Sequence, residues 1–244
     1  MPGLKALVLA AGKSTRLASI TGGRPKPLVE VQGESVLARN LRWLASQGVE
    51  ETWINLHYRP EEIQAAIGNG ERFGLNVRYR YEPDILGTAG AVRNLAHEWT
   101  GTFLVIYGDN LLSLDVPDFL AFHRAHKAGV TIALFDQDRH RHTGIAGGRV
   151  ELAPNGQVVG FHEGQSERGT TFVNAGVYLV EPDIVPSIPP CQLYDFGRDL
   201  FPRLLEEHQY LYGYLISGYC LGLDTPESYR EALRLVREGE VRLT

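Results

Sequence analysis

The sequence has few cysteines, no long apolar run and no excess of positive charge, and each of these shortages excludes a class of protein. The two cysteines, Cys191 and Cys220, lie far apart and match no metal or redox spacing, so we expect reduced thiols and no disulfide framework. The first apolar run, residues 6–11, is too short for a signal sequence or a membrane span, and no later run approaches about 18 apolar residues. We therefore expect a soluble, cytoplasmic protein with no membrane partner.

The charge balance is mildly acidic, with a formal net charge of −5 at pH 7. Proteins that bind nucleic acid normally carry a basic stripe, whereas the basic residues here are scattered, so we expect no nucleic-acid partner. A small anionic ligand held in one pocket is compatible with this distribution. The hydrophobic share of 43% and the charged share of 22% are typical of globular domains and exclude a disordered or fibrous chain. The sequence leaves the oligomeric state open, and a homo-oligomer is compatible with it.

Strand-like and helix-like segments alternate in the first half of the chain. Ser35 can cap a helix with an apolar face, Gly48 can end that helix, and Pro60 with two following acids can open the next one. Such βαβ alternation predicts a mostly parallel sheet with helices on both sides. We place strands at 6–10, 52–56, 77–81, 102–107 and 131–135, and further helices at 89–97 and 116–127.

The pattern becomes richer in strands after residue 137. Pro154, Asn155 and Gly156 predict a hairpin turn, and Thr225 can cap a terminal helix that runs to residue 236. No linker, repeat or low-complexity tract divides the chain, so we expect one α/β unit over residues 1–244. Its ligand-binding loops should lie at the carboxyl ends of the strands. The further strands are placed at 145–152, 157–162, 171–180, 210–216 and 219–223, with a helix at 196–207.

A loop of small residues, LAAGKSTRL at residues 9–17, follows the first predicted strand. It is not a P-loop, because Leu7 stands where that motif needs its first glycine, and it is not a dinucleotide fingerprint, because Gly12 is its single glycine. The remaining interpretation is a loop whose backbone N–H groups approach phosphate oxygens, with Arg16 adding a cationic fork. Lys26 lies between two prolines, which deliver its ammonium from a stiff segment. An ordinary glycine turn beside cations is the alternative.

These motifs together resemble the signature of the sugar-1-phosphate nucleotidyltransferases, in which LAAG-x-x-x-RL is followed by PKPLV. The resemblance continues in order along the chain, through residues 86–90, 107–109, 174–178 and 225–229. The turn at residues 86–90, LGTAG, looks like that of guanylyltransferases acting on mannose or heptose phosphates, while uridylyl and thymidylyl relatives vary there. Gly87 and Gly90 would let the backbone approach the base edge, although glycines also suit an ordinary turn before a helix.

The resemblance implies a Rossmann-like three-layer nucleotidyltransferase fold, with a mostly parallel central sheet and a β-rich acceptor-binding second half. The nucleotide-binding part would span about 1–136 and the acceptor-binding part about 137–244. An oxygen of a sugar-1-phosphate would attack the α-phosphorus of a nucleoside triphosphate in line and expel pyrophosphate, with Arg16 and Lys26 as catalytic residues and Mg²⁺ as cofactor. Asp109 and Asp224 are the implied metal ligands. The implied nucleotide contacts are Leu9, Ala10, Ala11, Gly12, Lys13, Ser14, Thr15, Glu82, Gly87, Thr88 and Gly90, and the implied acceptor contacts are Asp109, Asn110, Glu163 and Asn174.

The sequence departs from the family pattern at two positions. Gly222 stands where relatives have their second metal carboxylate, and Asp224 follows two residues later, so Asp224 either points into the site one step displaced or caps the last helix beside Thr225. Gly164 stands where relatives have a lysine for the sugar's phosphate, and Arg168 is a nearby candidate to replace it.

The departures keep other interpretations open. Asn174 would contact either a sugar hydroxyl or the backbone, since a polar side chain in an apolar strand needs a partner. A nucleotidyltransferase with a non-sugar acceptor such as phosphocholine is compatible with the absent lysine. A non-catalytic nucleotide sensor is compatible with the displaced Asp224. A glycosyltransferase of similar fold would not require Arg16 and Lys26 around a triphosphate.

Overall fold

The computed structural model describes residues 3–12, 15–144, 147–164, 169–208 and 210–243. Its main feature is a nine-stranded sheet in the order β11-β10-β12-β6-β1-β4-β5, with β8 paired to β12 and β13 paired to β8. These strands are β1 (Leu4–Leu9), β4 (Val49–Leu56), β5 (Asn76–Tyr81), β6 (Phe103–Tyr107), β8 (Val130–Asp136), β10 (Arg149–Leu152), β11 (Val158–His162), β12 (Phe172–Val180) and β13 (Leu211–Leu215).

The centre of the sheet is parallel and its second half is mixed. Strands β6, β1, β4 and β5 pair in parallel, whereas β12 runs antiparallel to both β6 and β8, and β10 and β11 form the antiparallel hairpin. This mixed sheet with a parallel core confirms the predicted fold class. The parallel core matters for the site, because it places the loops after β1 and β6 side by side at one edge.

Three of the helices begin at the residues that the sequence predicted, Ser35, Pro60 and Thr225. The helices are α1 (Ala18–Thr21), α2 (Val36–Ser46), α3 (Pro60–Ile67), α4 (Gly87–Asn94), α5 (Val116–Ala125), α6 (Phe201–Glu206) and α7 (Pro226–Arg237). The Ser35 hydroxyl accepts from Ala38 N at 3.2 Å at the start of α2, and Gly48, at φ 80°, follows its end. Thr225 and Ser228 form a reciprocal capping box at the start of α7.

Two predicted helices are interrupted. The one placed at 89–97 is α4 followed by a separate 3₁₀ turn, Ala96–Glu98, and the one at 196–207 is a π-helical turn, Phe196–Leu200, leading into α6. The hairpin prediction is confirmed by the β10–β11 pairing, with Gly156 at φ 83° in the turn.

Of the short strands around the main sheet, the sequence predicted the one placed at 219–223 and missed the others. Strands β7 (Asn110–Leu112), β14 (Tyr219–Gly222) and β9 (Arg141–His142) form a small second sheet, and β2 (Glu30–Val31) pairs with β3 (Glu34–Ser35). Two- and three-residue strands carry too few positions to show a period. The β7–β14 pairing is important, because it aligns Asn110 with Gly222 and so brings the segment around Asp109 next to the segment around Asp224.

Both faces of the sheet are covered by apolar layers. Successive residues of β1 point to opposite faces, so Ala6 and Val8 pack in one layer with Leu41 of α2, while Leu7 packs in the other with Phe196. All five side chains are fully buried. No helix within the described ranges has the length and apolar character needed to cross a bilayer.

Candidate active site

Two connected clefts lie at the carboxyl ends of β1 and β6. We call the smaller, about 430 Å³, the nucleotide cleft and the larger, about 600 Å³, the acceptor cleft. The loop after β1 lines the first, and the hairpin region and the start of α7 line the second. The residues that line both clefts, and so mark their junction, are Arg16, Thr88, Tyr107, Asp109, Asp195 and Asp224.

The loop after β1 forms one wall of the nucleotide cleft through Leu9, Ala10, Ala11 and Gly12. A side chain at Gly12 would meet nothing within 4 Å, so this part of the loop opens onto the cleft. Ala10 N is already used inside the protein, because it donates to Asn55 Oδ1 at 2.8 Å. This N–H is therefore already used, and the phosphate contact expected of the loop would come from the N–H groups of the residues after Ala10. Lys13 and Ser14 lie outside the described residues, as does the side chain of Thr15.

Lys26 lies at the junction between two carboxylates. Its ammonium donates to Asp109 Oδ2 and, at 2.6 Å, to Asp224 Oδ1. Burial by itself lowers the pKa of Lys26, but the two carboxylates outweigh it and the pKa is raised, so the side chain is charged throughout the neutral range. Arg16 Nη2 lies 3.8 Å from Asp224 Oδ1, with its side chain 70% exposed. Arg16 and Lys26 thus place two cations beside the carboxylates of Asp109 and Asp224.

Asp109 is positioned by a close approach of two strands. Gly108 N donates to Leu9 O at 2.9 Å, and a side chain at Gly108 would come within 2.8 Å of that oxygen. Only glycine fits there, so β6 ends against the start of the loop after β1 and turns Asp109 into the junction.

Asp224 points into the cleft and leaves the cap of α7 to its neighbour. Thr225 Oγ1 accepts from Ser228 N at 3.2 Å, and Ser228 Oγ accepts from Thr225 N at 3.0 Å, which completes the capping box. The Asp224 carboxylate instead contacts Lys26 and lines both clefts. The displaced position in the sequence therefore still delivers a carboxylate to the junction.

The two carboxylates fit a magnesium ion by their chemistry. Asp109 and Asp224 converge closely enough to share one ammonium. Mg²⁺ in phosphate-transfer sites usually takes one or two carboxylates and completes its octahedron with phosphate oxygens and water. Among the described residues, no group of three or more His, Cys, Asp or Glu side chains is arranged to hold a metal ion by itself, so phosphate oxygens and water would have to complete the coordination. Asp109 and Asp224 are the residues that would hold the ion.

Glu82 is a buried carboxylate in the wall of the nucleotide cleft. It is 1% exposed and accepts hydrogen bonds from Asn55 Nδ2 at 3.0 Å and Leu86 N at 3.4 Å. Desolvation raises the pKa of Glu82, and these hydrogen bonds partly oppose the rise. Asn55, which ties Glu82 to the loop after β1, was not among the residues predicted from the sequence.

The glycines of the turn at residues 86–90 permit a contact within the protein. Gly87 has φ 76°, and a side chain there would come within 2.6 Å of Tyr194 O. Ala89 N and Gly90 N both donate to Tyr194 O, at 3.0 and 2.9 Å. Gly87 also lines the nucleotide cleft, and its approach to a base edge stays a prediction. The immediate reason for these glycines is nevertheless the packing of the turn against the segment around Tyr194.

Asp195 reinforces that packing and was also missed. Its Oδ1 accepts from Thr88 N at 2.9 Å and Thr88 Oγ1 at 3.2 Å, across 107 residues of sequence, while Thr88 Oγ1 accepts from Phe196 N at 2.9 Å. An aspartate before an apolar helical run looks like a cap in the sequence. Only the fold shows that it joins the two clefts.

The predicted acceptor residues line the acceptor cleft but differ in what they already bind. Asn174 Oδ1 accepts from Gly176 N at 2.9 Å and its Nδ2 donates to Tyr178 Oη at 2.8 Å, so the contact within the protein that was one alternative is present. Asn110 Nδ2 donates to Ala175 O at 3.1 Å, whereas its buried Oδ1 accepts from none of the residues that the structure describes.

Glu163 enters the same cleft through space left by two glycines. Its carboxylate occupies the position that a side chain at Gly148 or Gly197 would need. Partial desolvation raises its pKa. Gly164, beside it, has φ 70° and open space where a side chain would project, and Arg168 lies outside the described residues.

Comparison with known proteins agrees with these observations. The family model described as "Nucleotidyl transferase" matches residues 5–239. The chain is 30% identical to a UTP–glucose-1-phosphate uridylyltransferase of Synechocystis, covering 98% of this chain and 65% of that protein. It is 34% identical to a mannose-1-phosphate guanylyltransferase of Mycobacterium tuberculosis, covering 95% and 64%. The chain thus spans slightly less than two thirds of the length of these relatives.

A solved structure agrees over nearly the whole chain. HddC from Yersinia pseudotuberculosis complexed with GMP-PN superposes with a TM-score of 0.79 at 25% identity, covering 96% of this chain and 99% of that one.

Proposed function

The chain belongs to the nucleotidyl transferase family, and from that premise we propose that it transfers a nucleoside monophosphate from a nucleoside triphosphate to a sugar-1-phosphate. The products are a nucleotide sugar and pyrophosphate, with GTP and a mannose- or heptose-type sugar favoured. The observation that carries the proposal is Lys26 held between Asp109 and Asp224 where the two clefts meet. We assign the nucleotide to residues of about 1–136, the acceptor to about 137–244, and the protein to the cytoplasm.

The reaction needs no nucleophile–base pair, because the attacking oxygen belongs to a phosphate that is already an anion. The protein's task is to align that oxygen with the α-phosphorus and to stabilise the charge that develops there. Arg16 and Lys26 supply fixed positive charge at the junction, and Lys26 does so with little loss of entropy because Pro25 and Pro27 restrict its backbone. A magnesium ion on Asp109 and Asp224 would add charge neutralisation of the phosphates when bound.

Glu82 supports guanine as the base. A carboxylate has about four lone-pair sites, and Asn55 and Leu86 use one on each oxygen, which leaves each oxygen able to accept once more. Guanine presents two adjacent donors, N1–H and the exocyclic amine, at a spacing that matches a carboxylate. Uracil, thymine, cytosine and adenine place an acceptor beside the donor on the same edge, and that acceptor would face the negative oxygen. A buried carboxylate in this wall therefore favours guanine.

Pyrophosphate release tests the proposal. The common nucleoside triphosphates are assayed against a panel of sugar-1-phosphates that includes mannose, heptose and glucose, with Mg²⁺ present and Asp109→Ala as the inactive control. We expect the highest rate with GTP and a mannose- or heptose-type acceptor. If no pair yields pyrophosphate while nucleotide still binds, the proposed catalysis is wrong and the sensor interpretation takes its place.

A non-sugar acceptor is a second candidate, which one departure from the family pattern allows. Gly164 offers no cation where relatives have a lysine for the sugar's phosphate. Phosphocholine therefore belongs in the acceptor panel, and a rate with phosphocholine above that with every sugar-1-phosphate would replace the sugar proposal. The sensor is less well supported, because the displaced Asp224 still reaches the junction.

A further inference from the structure

Arg198 is a cation in the wall of the acceptor cleft that does not line the nucleotide cleft. Of the described residues that line the acceptor cleft, Arg16 and Arg198 alone carry a positive charge, and Arg16 is shared with the nucleotide cleft. An acceptor that brings a phosphate group into this cleft needs a positive partner of its own. Arg198 is the described cation placed to serve the acceptor alone.

The turn that carries Arg198 is held firmly on both sides. Phe196 is fully buried and its ring packs 4.6 Å from that of Tyr178, centroid to centroid. Its N–H donates to Thr88 Oγ1 at 2.9 Å, and Asp195 N donates to Asp199 Oδ2 at 2.7 Å. The backbone at Arg198 is therefore fixed to the core and to the nucleotide turn, while its side chain is 70% exposed and free to meet a ligand.

The present contacts of Arg198 are weak enough for a ligand to replace them. Its Nη1 lies 3.8 Å from Asp195 Oδ2, a separation at which an exposed ion pair contributes little. Asp195 is meanwhile engaged by Thr88 through its other oxygen. The charge of Arg198 also acts on Glu163, where it opposes the rise in pKa that desolvation causes. Arg198 thus acts on Glu163, which directly precedes Gly164, the position where the family pattern has a lysine.

We propose that Arg198 binds the phosphate of the acceptor and supplies the positive charge for which position 164 has no side chain. The proposal rests on the proposed function and deepens it, because it assigns the recognition of the acceptor phosphate to a named residue. Arg198 is here a binding residue: it fixes one end of the acceptor while Arg16 and Lys26 serve the triphosphate.

Steady-state kinetics with the best substrate pair tests this assignment. Arg198→Gln should raise the KM for the acceptor about ten- to a hundredfold, the scale of one lost charge-assisted hydrogen-bonding group, and leave the KM for the nucleotide within about twofold. Arg198→Lys should recover part of the loss, since lysine restores the charge but not the planar fork. Arg237→Gln is the matched control, because Arg237 on α7 is 77% exposed, pairs with Glu238 and lines neither cleft.

Three kinetic results would overturn the assignment. The first is an unchanged acceptor KM in Arg198→Gln. The second is an equal rise in the acceptor and nucleotide KM values, which would indicate damage to the turn. The third is a rise in the acceptor KM that Arg168→Gln produces and Arg198→Gln does not. A separate binding measurement keeps the test independent of turnover. Inorganic phosphate is titrated into wild type and Arg198→Gln, each saturated with a non-hydrolysable GTP analogue. Weaker phosphate binding by the variant supports the assignment even if wild type releases no pyrophosphate, and equal binding refutes it.

Discussion

Asp224→Asn separates the two roles that the sequence left open for this residue. The substitution keeps the shape of the side chain and removes one of the two negative charges around Lys26. Loss of one charge-stabilising group typically lowers kcat by about two to three orders of magnitude. We expect about a hundredfold loss, because Asp109 remains to hold Lys26 and the metal. The Mg²⁺ concentration for half-maximal rate should rise at the same time, since one of two ligands has lost its charge.

The stability of Asp224→Asn should change little. The Lys26–Asp224 pair has oxygen and nitrogen 2.6 Å apart but is partly exposed, with 12% and 30% of the two side chains accessible. Lys26 keeps Asp109 as a partner, so no buried charge is left alone, and the free energy of unfolding should fall by less than about 1 kcal/mol. The helix cap is intact because Thr225 and Ser228 supply it.

A matched control makes the comparison decisive. Ser35→Ala removes the cap of α2, away from both clefts, and should cost about 1 kcal/mol of stability with activity unchanged. The assays are pyrophosphate release over a Mg²⁺ series and chemical denaturation. If Asp224→Asn instead keeps wild-type turnover at every Mg²⁺ concentration and loses stability as Ser35→Ala does, Asp224 is a capping residue and its place in the active site is wrong.

Three further predictions follow from the same cleft. Lys26→Met should lower kcat by about two to three orders of magnitude, and turnover near wild type in a pyrophosphate-release assay would refute the role. The stability that Lys26 contributes should hold up to about pH 10 and decline above it, because the pKa of Lys26 is raised in the folded protein. Denaturation of wild type and Lys26→Met at pH 7 to 11 checks this pH dependence. Glu82→Gln should lower kcat/KM for GTP and raise that for UTP or dTTP, since an amide offers one donor and one acceptor; a GTP preference that survives the change would remove Glu82 as the base selector. Gly87→Ala should destabilise the protein by about 1–3 kcal/mol, because its φ is 76° and the added carbon would come within 2.6 Å of Tyr194 O; a Tm equal to that of wild type would contradict this packing.

Much of the fold could be predicted because its signals are local. Ser35, Pro60 and Thr225 begin helices by capping or by a fixed φ, and Gly156 closes the hairpin by adopting a positive φ, all properties of a few neighbouring residues. The family membership was also predicted from short contiguous motifs, and it is confirmed. The π-helical turn before α6 and the short strands β7 and β9 of the second sheet were missed, because they depend on contacts with distant segments rather than on a repeating pattern.

The residues of the candidate active site also differ in whether a local signal in the sequence predicts them. The sequence was enough to place the loop after β1 and Asp109, because each follows a recognisable strand. It was also enough to place Lys26, which lies between two prolines. The parallel core brings these residues together. Asn55 and Asp195 could not be placed in this way, since no neighbouring residue in the sequence indicates their hydrogen-bond partners, which are 27 and 107 residues away. Their roles become visible only when the strands are in register.

The unequal predictability of the two clefts has a physical origin. The triphosphate has the same charges in every member of such a family, so few residues, close together and alike, can bind it, and we propose Gly12, Arg16 and Lys26 for this role. The acceptor varies, and its cleft is assembled from separate segments whose fit depends on small volumes, such as the space at Gly148 and Gly197 that admits the carboxylate of Glu163. A cation from any segment that lines the same cleft can replace a lysine that is absent at position 164, as we propose for Arg198. Motifs therefore constrain the reaction more tightly than the substrate, and the acceptor has to be found by kinetics on variants of Arg198 and Glu163 rather than by further comparison of sequences.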